Sequence, residues 1–155
     1  MPTRTTSQQD VRENEMFRKI LLAYDGSAGA KKALDVALDL ASSSGAELWA
    51  LAVEERLPQY TATIDEMEEA KEFANHYFQE ALSIAYLRAL KANVELKSEI
   101  RAGHAARIIV DFTKEGGFDL VVLGSSGHSG VWKMFLGTTA EKVSRHVPCT
   151  VLLVR

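Results

Sequence analysis

Cysteine is almost absent: Cys149 stands alone in 155 residues. A lone cysteine forms no internal disulfide, so a reducing compartment, the cytoplasm, is the expected location. No apolar run approaches the roughly 18 residues needed to span a bilayer. The opening stretch, Met1 to Glu15, is polar and lacks the apolar centre of a secretory signal. No membrane partner is expected. Basic clusters are missing too, and the net charge is −3, which argues against a nucleic-acid surface. His76, His104 and His146 are scattered, and no H-x-x-x-H or C-x-x-C pair occurs, so no transition-metal site is expected. No Gly-Lys-[Ser/Thr] occurs, which excludes a Walker loop, and no G-x-G-x-x-G, which excludes a dinucleotide fingerprint. No nucleophile has an evident base and no arginine finger stands out, so no strong catalyst is expected. Cys149 lies in a strand pattern and reads as a buried, inert thiol.

What remains is an ordinary globular composition, 46% hydrophobic and 25% charged, of a length that suits one domain. Residues 1–16 carry no periodicity and are expected to form a flexible tail before a domain over 17–155. Ile20 to Tyr24 is a continuous apolar run ended by Asp25-Gly26-Ser27, a turn with a helix-capping serine. Ala30, Ala33, Leu34, Ala37, Leu38 and Ala41 then recur at helical spacing, with Gly45 as a C-cap. Glu47 to Val53 reads as a second strand. Thr63 or Asp65 caps a long helix whose apolar face includes Met67, Ala70, Ala74, Tyr77, Phe78, Ala81, Ala85 and Leu90. Val94 to Arg101 alternates as a half-wet edge strand. A helix from about Ala105 to Gly116-Gly117, a strand Phe118 to Leu123, a helix closed by Pro148 and a strand Cys149 to Val154 complete the chain. Thr138 and Glu141 fit a capping box. Strict alternation of strands and helices implies an open parallel sheet with helices on both faces. The first and fourth strands both end in turn chemistry and are expected to flank the crevice where strand order reverses.

The functional signal is Gly124-Ser125-Ser126-Gly127, then nine residues, then Gly137-Thr138-Thr139 at a helix start. Small residues at a strand end let backbone N–H groups approach an anion, and a helix start adds free donors and the positive end of its dipole. Such a pattern arises by chance at roughly 10⁻⁵ to 10⁻⁴ per starting position. The two clusters read as halves of one phosphate cradle. Asp25 reads as a turn former that also offers a carboxylate to a nucleotide or to a metal on its phosphates. Ser125 and Ser126 read as phosphate donors, and Arg101 and His128 either as rim residues within reach of phosphates or as ordinary exposed basic residues.

These residues resemble the universal stress protein family in its nucleotide-binding branch, whose motif is G-x2-G-x9-G-[ST]. Ile20 to Ser27 resembles its first strand and turn, and His146 to Arg155 its last helix exit and strand. The resemblance covers Lys19 to Arg155. Gly103-His104 departs from it, since many relatives carry proline near that position. The resemblance implies an adenine nucleotide alpha hydrolase-like α/β fold: five parallel strands in the order 3-2-1-4-5, binding ATP, and usually a homodimer; Asp25 is the candidate residue for Mg²⁺ on the phosphates. It further implies that Ala23, Tyr24 and Asp25 lie along the adenosine and that the Val53 backbone meets the adenine edge. Gly124 and Gly127 would approach ribose and phosphates, and Gly137, Thr138 and Thr139 would bind phosphate oxygens. The last strand carries no charge over Thr150 to Val154 and is expected to pair with a second copy. A nucleotide-dependent regulator of stress response is the reading, with an unknown protein partner. A slow metal-dependent ATPase or nucleotidyl-transfer enzyme, and a dimeric scaffold with a vestigial site, are the alternatives.

Overall fold

The computed structural model describes residues 16–55, 63–125 and 137–155. The expected tail, 1–16, lies outside them except for Met16, and Ser126, Gly127 and His128 lie outside them as well. Strands β1 (Lys19–Ala23), β2 (Glu47–Glu54), β3 (Leu96–Ala102), β4 (Leu120–Gly124) and β5 (Thr150–Val154) alternate with helices α1 (Ala28–Ser44), α2 (Ile64–Lys91), α3 (Ala105–Gly116) and α4 (Thr138–His146). The five strands run parallel in the order β3-β2-β1-β4-β5.

β1 sits at the centre, so both of its faces are covered and its sequence is continuously apolar. Ile20 and Leu22 pack with the small residues of α1 and the late residues of α2. Leu21 and Ala23 pack on the opposite side, with α3 and α4. The predicted apolar stripe of α1 is buried at all six positions, Ala30 to Ala41. Ser27 caps that helix by accepting from the Ala30 N–H at 3.2 Å, and Gly45 closes it at φ 70°. At the amino end of the sheet, the Asp119 carboxylate accepts from the backbone N–H groups of Arg18 at 2.8 Å and Lys19 at 3.1 Å. That clamp fixes the start of β1 against the start of β4.

The long helix departs from expectation. α2 is capped as predicted, by a Thr63–Glu66 capping box. Its buried residues, however, are Ala81, Leu82, Ala85 and Ala89. Met67 and Leu90 are more than half exposed, and Ala70 is exposed. For Met67 and Ala70 the reason is length. A 28-residue helix runs about 42 Å. The eight-residue β2 runs about 27 Å. The first half of α2 therefore projects past the carboxyl ends of the strands.

β3 is an edge, as its alternation implied. Leu96 and Ile100 face α2, while Arg101 on the other face pairs with Glu99 at 2.7 Å and Glu115 at 3.3 Å. Its guanidinium also lies 4.5 Å from the Phe112 ring centroid. β5 is the other edge and begins one residue later than predicted, at Thr150. No helix among the described residues is long and apolar enough to cross a membrane.

Candidate functional site

Strand order reverses between β1 and β4. A cavity of about 580 Å³ opens there, beyond the carboxyl ends of the strands. Of the residues singled out from sequence, Ala23, Tyr24, Asp25, Val53, Gly124, Gly137, Thr138 and Thr139 all line it. Arg101 does not, and its ion pairs hold it on the outer face of β3.

Helices that follow parallel strands begin at this end of the sheet, so α1, α3 and α4 all bring their amino termini to the cavity. Two of the three are satisfied by side chains. Ser27 caps α1, and the Ser27 N–H itself donates to Asp25 Oδ1 at 2.9 Å. The first N–H of α3, at Ala105, donates to Glu55 Oε1 at 3.0 Å, while the N-cap residue His104 contributes no side-chain bond.

α4 differs. The predicted Thr138–Glu141 capping box does not form. Gly137 takes the cap position at φ −60° and ψ 149°, with no side-chain cap, and Thr138 becomes the first helical residue. Glu141 instead pairs with Arg145 at 2.9 Å, one turn further on. The one-residue shift follows from Gly137 adopting the extended backbone a cap requires, which moves Thr138 inside the first turn. Thr138, Thr139 and Ala140 are first-turn residues, whose N–H groups have no intrahelical acceptor, and all three line the cavity.

Ser125 sits at the root of the motif rather than on the cavity wall. Its N–H donates to the Val154 carbonyl at 2.8 Å, and its carbonyl accepts from Gly137 N–H at 3.2 Å. The Gly137 N–H is thereby engaged within the protein. Gly124 is glycine for a packing reason: a Cβ there would stand 2.8 Å from the backbone carbonyl carbon of Gly29 in α1. Strand and helix thus approach closely at the cavity floor.

The opposite wall is built from β2. The Leu51 carbonyl accepts from Tyr24 N–H, on the β1 side, and the Glu54 carbonyl accepts from Gly103 N–H, on the β3 side. Backbone groups alternate sides along a strand, so the N–H and C=O of Val53 point toward β1. The β1 ladder ends at the Ala23–Leu51 rung, which leaves that edge open to the cavity.

Asp25 keeps one carboxylate oxygen beyond the turn bond to Ser27. Gly26, at φ 77°, lets this turn pass under α2, where an added Cβ would stand 3.1 Å from Ala81. Tyr24 is 2% exposed, and its hydroxyl finds no hydrogen-bond partner among the described residues. Burial pushes that phenol above its ordinary range, with Arg88 pulling the other way. Cys149 is half-buried, and burial raises its thiol, which fits the inert reading.

Tyr77, Phe78 and Glu55 line the cavity without having been assigned to it from sequence. The first two carried the helical apolar spacing, but only the projection of α2 over the strand ends makes them wall residues. The Tyr77 hydroxyl donates to the Asp25 carbonyl at 3.1 Å. Glu55 carried no local signal.

An open, doubly wound parallel sheet with its cleft at the strand-order reversal defines a class of α/β domain that takes ligands at that point. The sequence profile of the universal stress protein family matches residues 16–155, and the chain belongs to that family. It is 36% identical to universal stress protein YxiE of Bacillus subtilis over 148 residues, spanning 90% of this chain and all of that one. Among solved structures, universal stress protein UspA from Lactobacillus plantarum superposes with a TM-score of 0.81 at 28% identity, covering 89% of this chain and 97% of that one. A universal stress protein in complex with cAMP shares the fold at a TM-score of 0.70 and 23% identity, over 90% and 97% of the two chains.

Proposed function

We propose that this chain is a nucleotide-dependent regulator of stress response, with ATP as the ligand of the switch-point cavity. The observation that carries the reading is the convergence of two unlike walls on one cavity. One wall is the uncapped first turn of α4, whose N–H groups suit phosphate oxygens. The other is the open Val53 backbone edge, which presents one donor and one acceptor to a base. β2 and β4 lie on either side of β1, so the walls stand about 10 Å apart. That separation suits the distance from base to 5′-phosphate. The solved relative in complex with cAMP supports an adenine ring in the base position.

The remaining Asp25 oxygen could join phosphate oxygens around Mg²⁺, which commonly takes one or two carboxylates and keeps several waters. Turnover is expected to be slow, because the described lining residues include no lysine, arginine or histidine to stabilise charge on a transferred phosphoryl group. The uncharged β5 edge is the proposed contact in a homodimer, over Cys149 to Val154. The half-buried lone thiol suits a reducing compartment, the cytoplasm.

Calorimetric titration with ATP tests the reading. Gly137 has a φ open to any L-residue, so Gly137→Val adds bulk before the α4 amides without forcing the backbone. The expected result is binding by the native protein and a loss on the order of tenfold or more in the variant, with the thermal midpoint lowered by no more than about 5 °C, the cost of a poorer N-cap residue. Equal affinities, or no ATP binding by the native protein, would overturn the proposal.

A further inference from the structure

The geometry points to Glu55 as the residue that selects an amino-bearing base over a keto-bearing one. This inference rests on the reading of the cavity as a nucleotide site. Glu55 lines the cavity two residues beyond Val53, on the wall opposite the α4 amides. Its carboxylate does not swing freely, because Oε1 accepts from the Ala105 N–H at 3.0 Å. Ala105 and Ile109, from the same helix, line the cavity beside it. One oxygen is thus engaged by the start of α3, and the other has no partner among the described residues, which leaves it as an acceptor on this wall.

An ionised carboxylate only accepts hydrogen bonds. The exocyclic amino group of adenine has two hydrogens. One suits the Val53 carbonyl on the open strand edge, and the second suits the free Glu55 oxygen. Hypoxanthine carries a carbonyl at the same position. It would set that acceptor against both the Val53 carbonyl and the Glu55 oxygen, an unfavourable pairing that binding sites use to reject near-isosteres, and only the Glu55 share of the penalty changes in a Glu55 variant. The carboxylate also repels phosphate, which helps to direct the charged end of the ligand toward α4.

Ala105 makes the test decisive. In Glu55→Gln the amide oxygen should stay on the Ala105 N–H, since the alternative flip sets two donors face to face. The NH₂ group then faces the base, where it opposes an amino group and suits a carbonyl. Titrating native protein and variant with ATP and with ITP, each with Mg²⁺, gives a ratio of affinities within each protein. A general loss of folding or of phosphate binding does not move that ratio.

The native protein is expected to favour ATP by about tenfold or more, the Glu55 share of that preference being one charge-assisted hydrogen bond. The ratio should fall by about tenfold or more in Glu55→Gln, with ITP gaining in absolute affinity. Glu55→Ala should give an intermediate ratio. The inference alone is overturned if the native protein binds ATP and ITP equally, or if its preference persists unchanged in Glu55→Gln. Failure of the native protein to bind either nucleotide overturns this inference together with the reading on which it rests.

Discussion

Gly124 and Gly137 belong to one sequence motif, yet they are glycines for different reasons. Gly124 has no room for a Cβ because the backbone of Gly29 lies against it. Gly137 has an unstrained backbone and caps α4 without a side chain. The spacing in the sequence was legible, but the division of labour was not. It depends on how close α1 comes to β4, and no local pattern records that. Tyr24 shows the same limit. Its position at the end of an apolar run was readable, while the lack of a partner for its hydroxyl among the described residues is a property of the packed core. Tyr24→Phe removes a buried polar atom without opening a large void. We expect it to stabilise the fold by about 1 kcal/mol at neutral pH. The folded pKa of Tyr24 lies above the ordinary 10.0, so the protonated phenol favours the fold. That contribution is whole below pH 10 and is lost as pH rises through the folded value. Denaturant titrations at several alkaline pH values should therefore show a shallower decline for the variant. An alkaline limb identical in both proteins would rule the phenol out as its source.

At the scale of elements, the helical spacing of α2 was plain, but which turns would find a partner was not. Periodicity tells where a face points, and the length of the neighbouring strands decides how far that face is covered. Ile64, Met67 and Phe73 are therefore exposed, although each is a large hydrophobic residue. With little packing behind it, the first half of α2 depends more on its cap than a buried helix does. Thr63→Ala should raise amide exchange across residues 64–74 by about fivefold, the effect of a cap worth about 1 kcal/mol. The global unfolding midpoint should stay within error. A matching fall in the midpoint would show instead that these turns unfold only with the core. The α4 cap was displaced by a single residue for a related reason. A threonine three residues before a glutamate satisfies the capping pattern, but the preceding glycine reaches the required backbone geometry first.

For the molecule as a whole, alternation and turn chemistry were enough to set β1 beside β4 with the cleft between them, whereas the full strand order was implied by the family resemblance. Contacts between distant segments left no trace in the local sequence. Asp119 holds the amides of Arg18 and Lys19, 101 and 100 residues earlier. Glu55 holds Ala105 across 50 residues. The proposed dimer belongs at this scale as well. The Val154 carbonyl faces β4, where it accepts from Ser125, so by alternation the backbone groups of Val151 and Leu153 face outward from the sheet. Val151→Pro removes an outward donor and leaves the inward ladder in place. Sedimentation velocity should show a two-fold assembly for the native chain and a monomer for the variant. A native monomer at micromolar concentration would refute this pairing.

The bond between Gly137 and Ser125 reaches beyond the chemistry of the cavity. It ties together the two points where residues 126–136 leave and rejoin the domain. With both ends fixed to the scaffold in this way, doubling the number of residues between them adds only about 0.6 kcal/mol of loop-closure entropy. Insertions or exchanges at this place should spare the scaffold while rewriting what it recognises, which makes the segment a natural site for divergence among paralogues and for grafting by design.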